Sequence, residues 1–337
     1  MIPTDLAVHL TAFLGSYLPA QRGASHNTVM AYRDAFTLLL RYCRDKKGRP
    51  PEKLMLADID APCVLAFLDH LGNERRCLPQ TRNQRLAAIH AFFRYVQTEE
   101  PDKLAHCQRI LAIRTHRVAQ KPVTYLCPDD MAGILAEPDQ ATVKGRRDAA
   151  LLSMLYDTGA RVQELADVRV SDLRLDSPQH VRLTGKGRKT RIVPLLPATT
   201  SLLVAYVEEQ HIDGAERRDG PLFFNQRREQ LTRHGIRYIL RKYAAKAGKQ
   251  WAGLPAAISP HTLRHAKAMH LLQAGNPAVV IRDILGHSDI KTTAIYARAD
   301  IEAKRRALEK AAPGVSSTAT PSWKKDPGLM DWLRGLH

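Results

Sequence analysis

Apolar residues recur at helical spacing along almost the whole chain, and this periodicity restricts the possible folds more than any other feature of the sequence. In the first third it marks four segments, at residues 4–19, 27–42, 56–72 and 81–97. Strand-like alternation is convincing only at 180–183 and 191–195, two short runs joined by the glycine-rich TGKGRKT. In the second run Ile192 and Leu195 alternate with polar neighbours less cleanly than Val181 and Leu183 do in the first. The sequence therefore predicts a mainly α-helical protein with one small β-hairpin or sheet.

Length and charge distribution divide the chain into two domains. A chain of 337 residues is too long for one ordinary core. No acidic side chain occurs between Asp102 and Asp129, while lysines and arginines accumulate there around a proline, which indicates a basic linker. The predicted segments are a helical bundle at 1–115, the linker at 116–125, a larger domain at 126–312 and a flexible tail with an apolar docking segment at 313–337.

The basic composition indicates a polyanionic partner. Lysine and arginine number 51 against 34 aspartates and glutamates, a net charge of +17, and nucleic acid is the leading candidate. The five cysteines are scattered without a CxxC pair, which fits a reducing cytoplasm and argues against disulfides. No apolar run approaches the roughly 20 residues that a membrane span needs, and the N-terminus lacks the basic region of a signal peptide. We therefore expect a cytoplasmic protein with no membrane partner.

The stretch 259–298 concentrates side chains suited to phosphate chemistry. A serine–proline pair predicts a helix start, and His261 and Arg264, three residues apart, then share one face at the positively polarised end of that helix. His287 directly follows the glycine that ends a second apolar helix, and Tyr296 comes nine positions later on a predicted short helix. Guanidinium groups hold phosphate oxygens, imidazoles move protons, and a phenol can attack phosphorus. The stretch therefore predicts chemistry on a phosphodiester.

Four short strings resemble the boxes of the tyrosine recombinases, also called the phage integrase family. They are HTLRH at 261–265, LGH at 285–287, IY at 295–296 and TGARVQEL at 158–165. The resemblance implies an N-terminal helical core-binding bundle followed by an α+β tyrosine recombinase catalytic domain. In the TGARVQEL string, Arg161 is expected at the start of a helix, where Glu164 could brace it through a charge-assisted contact.

The resemblance assigns catalytic roles to six residues, Arg161, Lys186, His261, Arg264, His287 and Tyr296. It implies that the two arginines clamp the scissile phosphate and that Tyr296 attacks it, leaving a 3′-phosphotyrosyl link. His261 then accepts the phenolic proton, and His287 hydrogen-bonds the phosphate. Lys186 protonates the leaving 5′ oxygen, with Lys189 as the alternative lysine. One phosphodiester is exchanged for another, so the resemblance implies no cofactor and no metal.

Double-stranded DNA is the partner that the resemblance implies. Strand exchange would pass through a Holliday junction held by a homo-tetramer on paired DNA sites, formed by this chain alone or together with related recombinases. Candidate DNA contacts are outward-facing arginines of two predicted helices, Arg82, Arg85, Arg233, Arg237 and Arg241. Solvated helix faces are the alternative interpretation of these arginines. The apolar tail docks either on a neighbouring subunit, as is common in this family, or on its own chain.

The biological role is open between two subfamilies. After HTLRH the chain has Ala266-Lys267 where many members carry Thr-Phe or Ser-Phe, and the surrounding pattern resembles integrases of mobile elements, which favours integration or transposition. The alternative is an Xer-like recombinase that resolves chromosome or plasmid dimers. A type IB topoisomerase and a DNA-binding protein without catalysis are further alternatives. The apolar tail argues against the first of these, and the complete catalytic set argues against the second.

Two other kinds of site are disfavoured. His261 and His265 have a metal-like spacing of four, but no HExxH accompanies them and no cysteine or carboxylate lies nearby in sequence, so we do not expect a zinc site. We expect His265 instead to pack or hydrogen-bond behind Arg264. Gly185 and Gly187 are too close together for the GxxxxGK phosphate-binding loop.

Overall fold

The chain forms two compact units, Met1–Lys121 and Pro122–His337, and the division falls within the segment 116–125. The computed structural model describes residues 2–118, 125–212, 214–250, 254–255, 258–287, 289, 293, 296, 305 and 328–335. Among these residues no helix is both long enough and apolar enough to cross a bilayer. The finer division of the chain into four segments stays a prediction.

The first unit contains one helix more than the sequence predicted. Its helices are α1 (Asp5–Ala12), which continues as a π-helix over Phe13–Gln21, then α2 (His26–Lys47), α3 (Ala61–Asn73), α4 (Pro79–Glu99) and α5 (Leu104–Leu111). The prediction missed α5 because this helix has 8 residues, of which Cys107 and Ile110 are buried. Two buried positions do not establish a helical period.

Aromatic rings fill the core of the first unit. Phe92 of α4 contacts Phe13 with ring centroids 5.4 Å apart and Phe36 of α2 at 5.1 Å, both edge to face. Each such pair stabilises a fold by about 0.5–1.5 kcal/mol beyond the area it buries. Leu86 and Ile89, two apolar residues of the predicted segment 81–97, are buried in the same cluster as these rings. The first unit therefore has a core of its own.

The second unit contains a small antiparallel sheet. Its strands are β1 (Leu173–Arg174), β2 (His180–Thr184) and β3 (Thr190–Pro194), in the order β1-β2-β3. Val181 and Leu183 of β2 are buried, as predicted. In β3 the inward position belongs to Val193, and Ile192 is 66% exposed, so the apolar alternation at Ile192 does not mark the buried face. The prediction of a mainly helical protein with one small sheet is confirmed.

Eight helices of the second unit lie among the described residues. They are α6 (Pro128–Ala136), α7 (Val143–Thr158), α8 (Val162–Ala166), α9 (Pro197–Gln210), α10 (Arg233–Gln250), α11 (Pro260–Gln273), α12 (Ala278–Leu285) and α13 (Leu329–Arg334). Between residues 297 and 312 the structure describes Arg305 alone, in helical conformation, and residues 313–327 of the predicted flexible tail lie outside the described residues.

Helix α11 positions the predicted reactive side chains. It begins where the sequence indicates, because the Ser259 hydroxyl accepts a hydrogen bond from the backbone N–H of Thr262 and Pro260 occupies the first turn. Leu263 and Ala266 join the main core of the unit, whereas Met269 packs with residues of α12. Packing against the main core and against α12 therefore fixes the orientation of α11 and of the polar side chains that it carries.

Candidate active site

Arg264 of α11 ties three chain segments together. Its Nη1 donates to the carbonyl of Gly159, after α7, and its Nη2 donates to the carbonyl of Leu285, at the end of α12, both at 2.6 Å. The side chain is 4% exposed. Burial, followed by the charge of Arg161, lowers the pKa of Arg264 to about 10, so the guanidinium stays charged at neutral pH. The forked geometry of a guanidinium allows it to bond both carbonyls at once.

Glu164 of α8 is a buried carboxylate shared by two arginines. Its Oε1 accepts from Arg161 Nη1 at 2.6 Å, and its Oε2 accepts from the Arg161 backbone N–H at 2.9 Å and from Arg191 Nη2 at 2.8 Å. Burial alone would raise the pKa of Glu164, but the hydrogen bonds from Arg191 and the Arg161 backbone lower it below its ordinary value. The brace predicted between Arg161 and Glu164 is confirmed.

Arg191 of β3 is a member of this cluster that the sequence analysis missed. Besides its bond to Glu164, its Nε donates to the carbonyl of Ile284 at 2.8 Å, which links the sheet to α12. Arg191 lies on the inward face of β3, two residues before Val193. The uneven alternation of β3 could have revealed Arg191, because this charged residue occupies an inward position where an apolar residue is expected.

We expect Arg191→Gln to lower the free energy of unfolding of the second unit by about 3 kcal/mol, because Glu164 then loses one partner of a buried ion pair. Arg182→Gln is the matched control, since Arg182 lies on β2 and pairs with Asp172 while remaining 54% exposed. For that surface pair we expect a loss of less than about 1 kcal/mol. Urea unfolding followed by circular dichroism measures both variants. Equal losses in the two variants would contradict the buried role of Arg191.

His287 follows the glycine that ends α12. Gly286 has a φ of +65°, and a side chain there would approach Arg191 Nη1 to 2.8 Å, so both backbone and space favour glycine. The His287 ring is buried, with Nδ1 2.9 Å from Thr293 Oγ1. Burial, followed by the charge of Arg264, lowers the pKa of His287 to about 4. The ring is therefore neutral at pH 7 and can hydrogen-bond without adding charge.

A cleft of about 800 Å³ opens between the β2–β3 turn and the end of α12. Its lining includes Arg161, Gly185, Gly187, Lys189, Arg191 and His287. Lys186 lies in the turn between the two lining glycines, and the structure does not describe its side chain. Lys189, the alternative lysine, is exposed. The choice between the two lysines therefore stays a prediction.

Tyr296 lies against the histidines of this region. Its hydroxyl is 2.8 Å from His265 Nδ1, and its ring is parallel to that of His287, with centroids 6.2 Å apart. The Tyr296 side chain is 3% exposed and packs with Met269 and Leu285. Burial raises the pKa of Tyr296 above its ordinary value, and Arg264 partly offsets this effect. The phenol is therefore protonated at neutral pH.

His265 lies at a different place in the site from the one that the sequence predicted. We expected it behind Arg264, but its ring nitrogen contacts the Tyr296 hydroxyl. His261 lies one turn earlier on α11 and is exposed, with its ring centroid 6.5 Å from that of His265. Loss of solvent around the ring, followed by the charges of Arg264 and Arg161, lowers the pKa of His261. The i, i+4 spacing of the two histidines was the available signal.

The structure brings together the five predicted catalytic residues whose side chains it describes. Contacts join Arg161 to the carbonyl of Gly286 at 3.3 Å, Arg264 to the end of α12, and Tyr296 to His287. His261 lies close enough to Arg264 for that charge to affect its pKa. Lys186 is placed by its backbone at the turn that borders the cleft.

The arginines predicted to contact DNA fall into two groups. In the first unit, Arg82 Nη2 donates to Asp69 at 3.0 Å and Arg85 Nη1 donates to the carbonyl of Ala31 at 3.1 Å. Contrary to the expectation, neither guanidinium projects freely into solvent. Three arginines of α10 have exposed side chains, and no hydrogen bond from their guanidiniums to another described residue is seen; they are Arg233, Arg237 and Arg241.

Two family descriptions match separate parts of this chain. Residues 124–303 match the phage integrase family, and residues 11–100 match the phage integrase N-terminal SAM-like domain. The first match includes the region that carries Arg161, Arg264 and Tyr296.

Individual proteins resemble the chain over most of its length. Protein y4rC of Sinorhizobium fredii, whose name describes it as an integrase/recombinase, is 39% identical over 98% of this chain and 98% of its own length. The tyrosine recombinase XerD of Listeria monocytogenes is 34% identical over 83% of this chain and 90% of its own length. In fold, the chain resembles the Tn1549 transposon integrase, solved in complex with transposon right end DNA. The TM-score is 0.66 and the identity 18%, over 90% of this chain and 99% of that one.

Proposed function

The chain belongs to the phage integrase family of site-specific tyrosine recombinases, and from this membership we propose that it cuts and rejoins DNA through a 3′-phosphotyrosyl intermediate and a Holliday junction. The resemblance stated from the four strings is thereby confirmed. We further propose which residues perform the reaction and that its substrate is double-stranded DNA.

One observation carries the proposal: two guanidiniums bond a single buried carboxylate, and a third guanidinium lies near both that carboxylate and the Tyr296 phenol. Arg161 and Arg191 both bond Glu164, and Arg264 is close enough to this carboxylate for its pKa to respond. Three positive charges therefore face one negative charge. Such an excess of fixed positive charge suits a phosphate whose oxygens gain charge as phosphorus becomes pentacoordinate.

We assign the nucleophile to Tyr296 and the phosphate clamp to Arg161 and Arg264. As the phenolic oxygen bonds phosphorus, the bond from phosphorus to the 5′ oxygen breaks and a histidine of α11 accepts the phenolic proton. Lys186 supplies the proton that the 5′ oxygen takes up. His261 and His287 are neutral at pH 7 and hydrogen-bond the phosphate oxygens.

Rejoining reverses these steps on another strand. A 5′ hydroxyl attacks the phosphotyrosine, the new phosphodiester forms, and Tyr296 recovers its proton. Four copies of the chain on paired DNA sites would exchange two pairs of strands in turn. Each phosphodiester bond that is broken is replaced by a new phosphodiester bond, so the proposal invokes neither a nucleotide cofactor nor a metal. Among the described residues, no group of three histidine, cysteine or acidic side chains is placed to bind a metal ion.

For the biological role, we propose integration or transposition of a mobile element. The similarity to y4rC over nearly the whole chain and the fold shared with a transposon integrase support this role. Xer-like resolution of dimers is the second candidate, because the identity to XerD of Listeria monocytogenes is almost as high.

Covalent capture on randomised DNA tests the proposed chemistry. The protein is incubated with nicked duplexes of randomised sequence, arranged so that cleavage releases a short oligonucleotide and traps the adduct. Adducts that survive denaturation are isolated and sequenced, and their common sequence defines the cleavage site. We expect a defined site and a protein joined to a 3′ end. Failure of the wild-type chain to form any adduct would refute the enzyme proposal.

The arginines of α10 are expected to bind phosphates. Arg237→Ala/Arg241→Ala should weaken binding to a duplex of random sequence and reduce the slope of log Kd against log salt concentration by about 2, since each lost phosphate contact removes about 0.9. Arg217→Ala/Arg218→Ala, in an exposed loop after α9, removes the same charge elsewhere and should leave the slope almost unchanged. Fluorescence anisotropy over a salt series measures both. Equal slopes in the two variants would contradict a DNA-binding role for α10.

Arg82 and Arg85 can contact DNA only if they first release their present hydrogen-bond partners. Their guanidiniums would have to exchange Asp69 and the Ala31 carbonyl for phosphate when DNA binds. The exposed stripe on α10 needs no such exchange, and it is therefore the stronger candidate for DNA contact.

A further inference from the structure

The Tyr296 hydroxyl has one hydrogen-bond partner among the described residues, and that partner is not the histidine that the family resemblance implied. His265 Nδ1 lies 2.8 Å from the phenolic oxygen. The two rings are inclined by 57° with centroids 5.6 Å apart, so the contact is made in the edge of the imidazole rather than across its face. A donor and acceptor at this separation are suitably placed for proton transfer.

The protonation states of the pair favour transfer from oxygen to nitrogen. Burial raises the pKa of Tyr296, so the phenol keeps its proton in the resting protein. Burial, followed by the charges of His261 and Arg264, lowers the pKa of His265, so its ring is neutral. In the neutral tautomer that carries its proton on Nε2, the phenol donates and Nδ1 accepts, which is the arrangement that the transfer requires.

Helix geometry explains why His265 reaches the hydroxyl and His261 does not. Both project from the same side of α11, one turn apart, because they are separated by four residues. His261 stands on the first turn, exposed beside Arg237, whose charge contributes to lowering its pKa. His265 is half-buried beside the apolar cluster that holds the Tyr296 ring. His261 therefore faces the open side of the site, and His265 faces the nucleophile.

We propose that His265 is the side chain that accepts the phenolic proton when Tyr296 attacks the scissile phosphate. This inference rests on the proposed function. The bond from Tyr296 Oη to phosphorus forms, the O–H proton moves to His265 Nδ1, and the bond from phosphorus to the 5′ oxygen breaks. Rejoining returns the proton from His265 to Tyr296 as the phosphotyrosine is displaced. His261 is left to contact the phosphate.

Single-turnover cleavage of the nicked site recovered by covalent capture tests this assignment. His265→Asn places an amide near the position of Nδ1, so it can hold the hydroxyl but cannot take its proton. We expect cleavage at least about 100-fold slower than in the wild type, with DNA binding and the unfolding temperature preserved. His265→Ala opens a space for a free base, and we expect added imidazole to restore much of its cleavage rate.

A substrate with a bridging 5′ sulfur separates the two proton transfers. Sulfur leaves without needing a proton, so a variant impaired at the leaving group regains its rate on this substrate. We expect Lys186→Ala to regain rate and His265→Ala to stay slow. His261→Ala provides the matched histidine control, and added imidazole should not restore it.

The opposing results are distinct. Cleavage by His265→Asn within about threefold of the wild type, faster cleavage by that variant, or recovery of His265→Ala on the sulfur substrate would each overturn the assignment. Imidazole rescue of His261→Ala in place of His265→Ala would also overturn it. Absence of any adduct in the wild type is the different result that refutes the enzyme proposal itself.

Discussion

Tyr296→Phe is expected to form no covalent adduct with the captured DNA site while binding that DNA as tightly as the wild type. The substitution removes one oxygen, and in our proposal that oxygen is the atom that bonds phosphorus. The ring remains packed against Met269 and parallel to His287. The lost hydrogen bond to His265 should reduce the free energy of unfolding by about 1 kcal/mol.

Tyr156→Phe is the matched control for this variant. The Tyr156 hydroxyl is 2.7 Å from His270 Nδ1, so it too pairs with a histidine of α11. Tyr156 does not belong to the proposed catalytic set, and we therefore expect normal adduct formation. Denaturing electrophoresis of labelled DNA compares the two variants. An adduct of normal yield in Tyr296→Phe would show that another residue is the nucleophile.

Arg264→Lys is expected to slow cleavage by about 10²- to 10³-fold, even though the positive charge is kept. An ammonium cannot reproduce the two simultaneous bonds that the forked guanidinium makes to the carbonyls of Gly159 and Leu285. The charge would then sit in a different place, and the segments that carry Arg161 and His287 would lose their common anchor. Both effects act on the phosphate site.

Arg147→Lys controls for the general effect of disturbing a buried arginine. The Arg147 side chain is 12% exposed, and it bonds the Asp148 carboxylate and the carbonyl of Phe224. It does not line the cleft. We expect a comparable loss of stability with a cleavage rate close to that of the wild type at a temperature where both variants are folded. A similar fall in cleavage for both lysine variants would assign the effect of Arg264→Lys to folding alone.

The sequence predicted those parts of the site that depend on local patterns. Arg161 follows a glycine turn, Arg264 lies on the first turns of a capped helix, and His287 follows a helix-ending glycine. Each of these positions is determined by a few neighbouring residues. The hairpin and the mainly helical fold were predictable for the same reason.

The missed residues depend on contacts between segments far apart in the chain. Arg191 bonds Glu164 and the carbonyl of Ile284, 27 and 93 positions away. His265 meets Tyr296 across 31 positions. Spacing along one helix shows that two histidines share a side, but it does not show which of them meets the phenol. Likewise, nothing in the sequence of α4 indicates that Asp69 of α3 holds Arg82.

The bonds from the site arginines to backbone carbonyls have a consequence for sequence divergence. Every residue type supplies a carbonyl oxygen, so replacing the side chain at 284 or 285 leaves the acceptors of Arg191 and Arg264 in place. Residues at these positions can drift under the requirements of core packing alone. The donors have no such freedom, because no other side chain offers a guanidinium. Homologous chains should therefore retain the two arginines, whereas positions 284 and 285 need only side chains that fit the core.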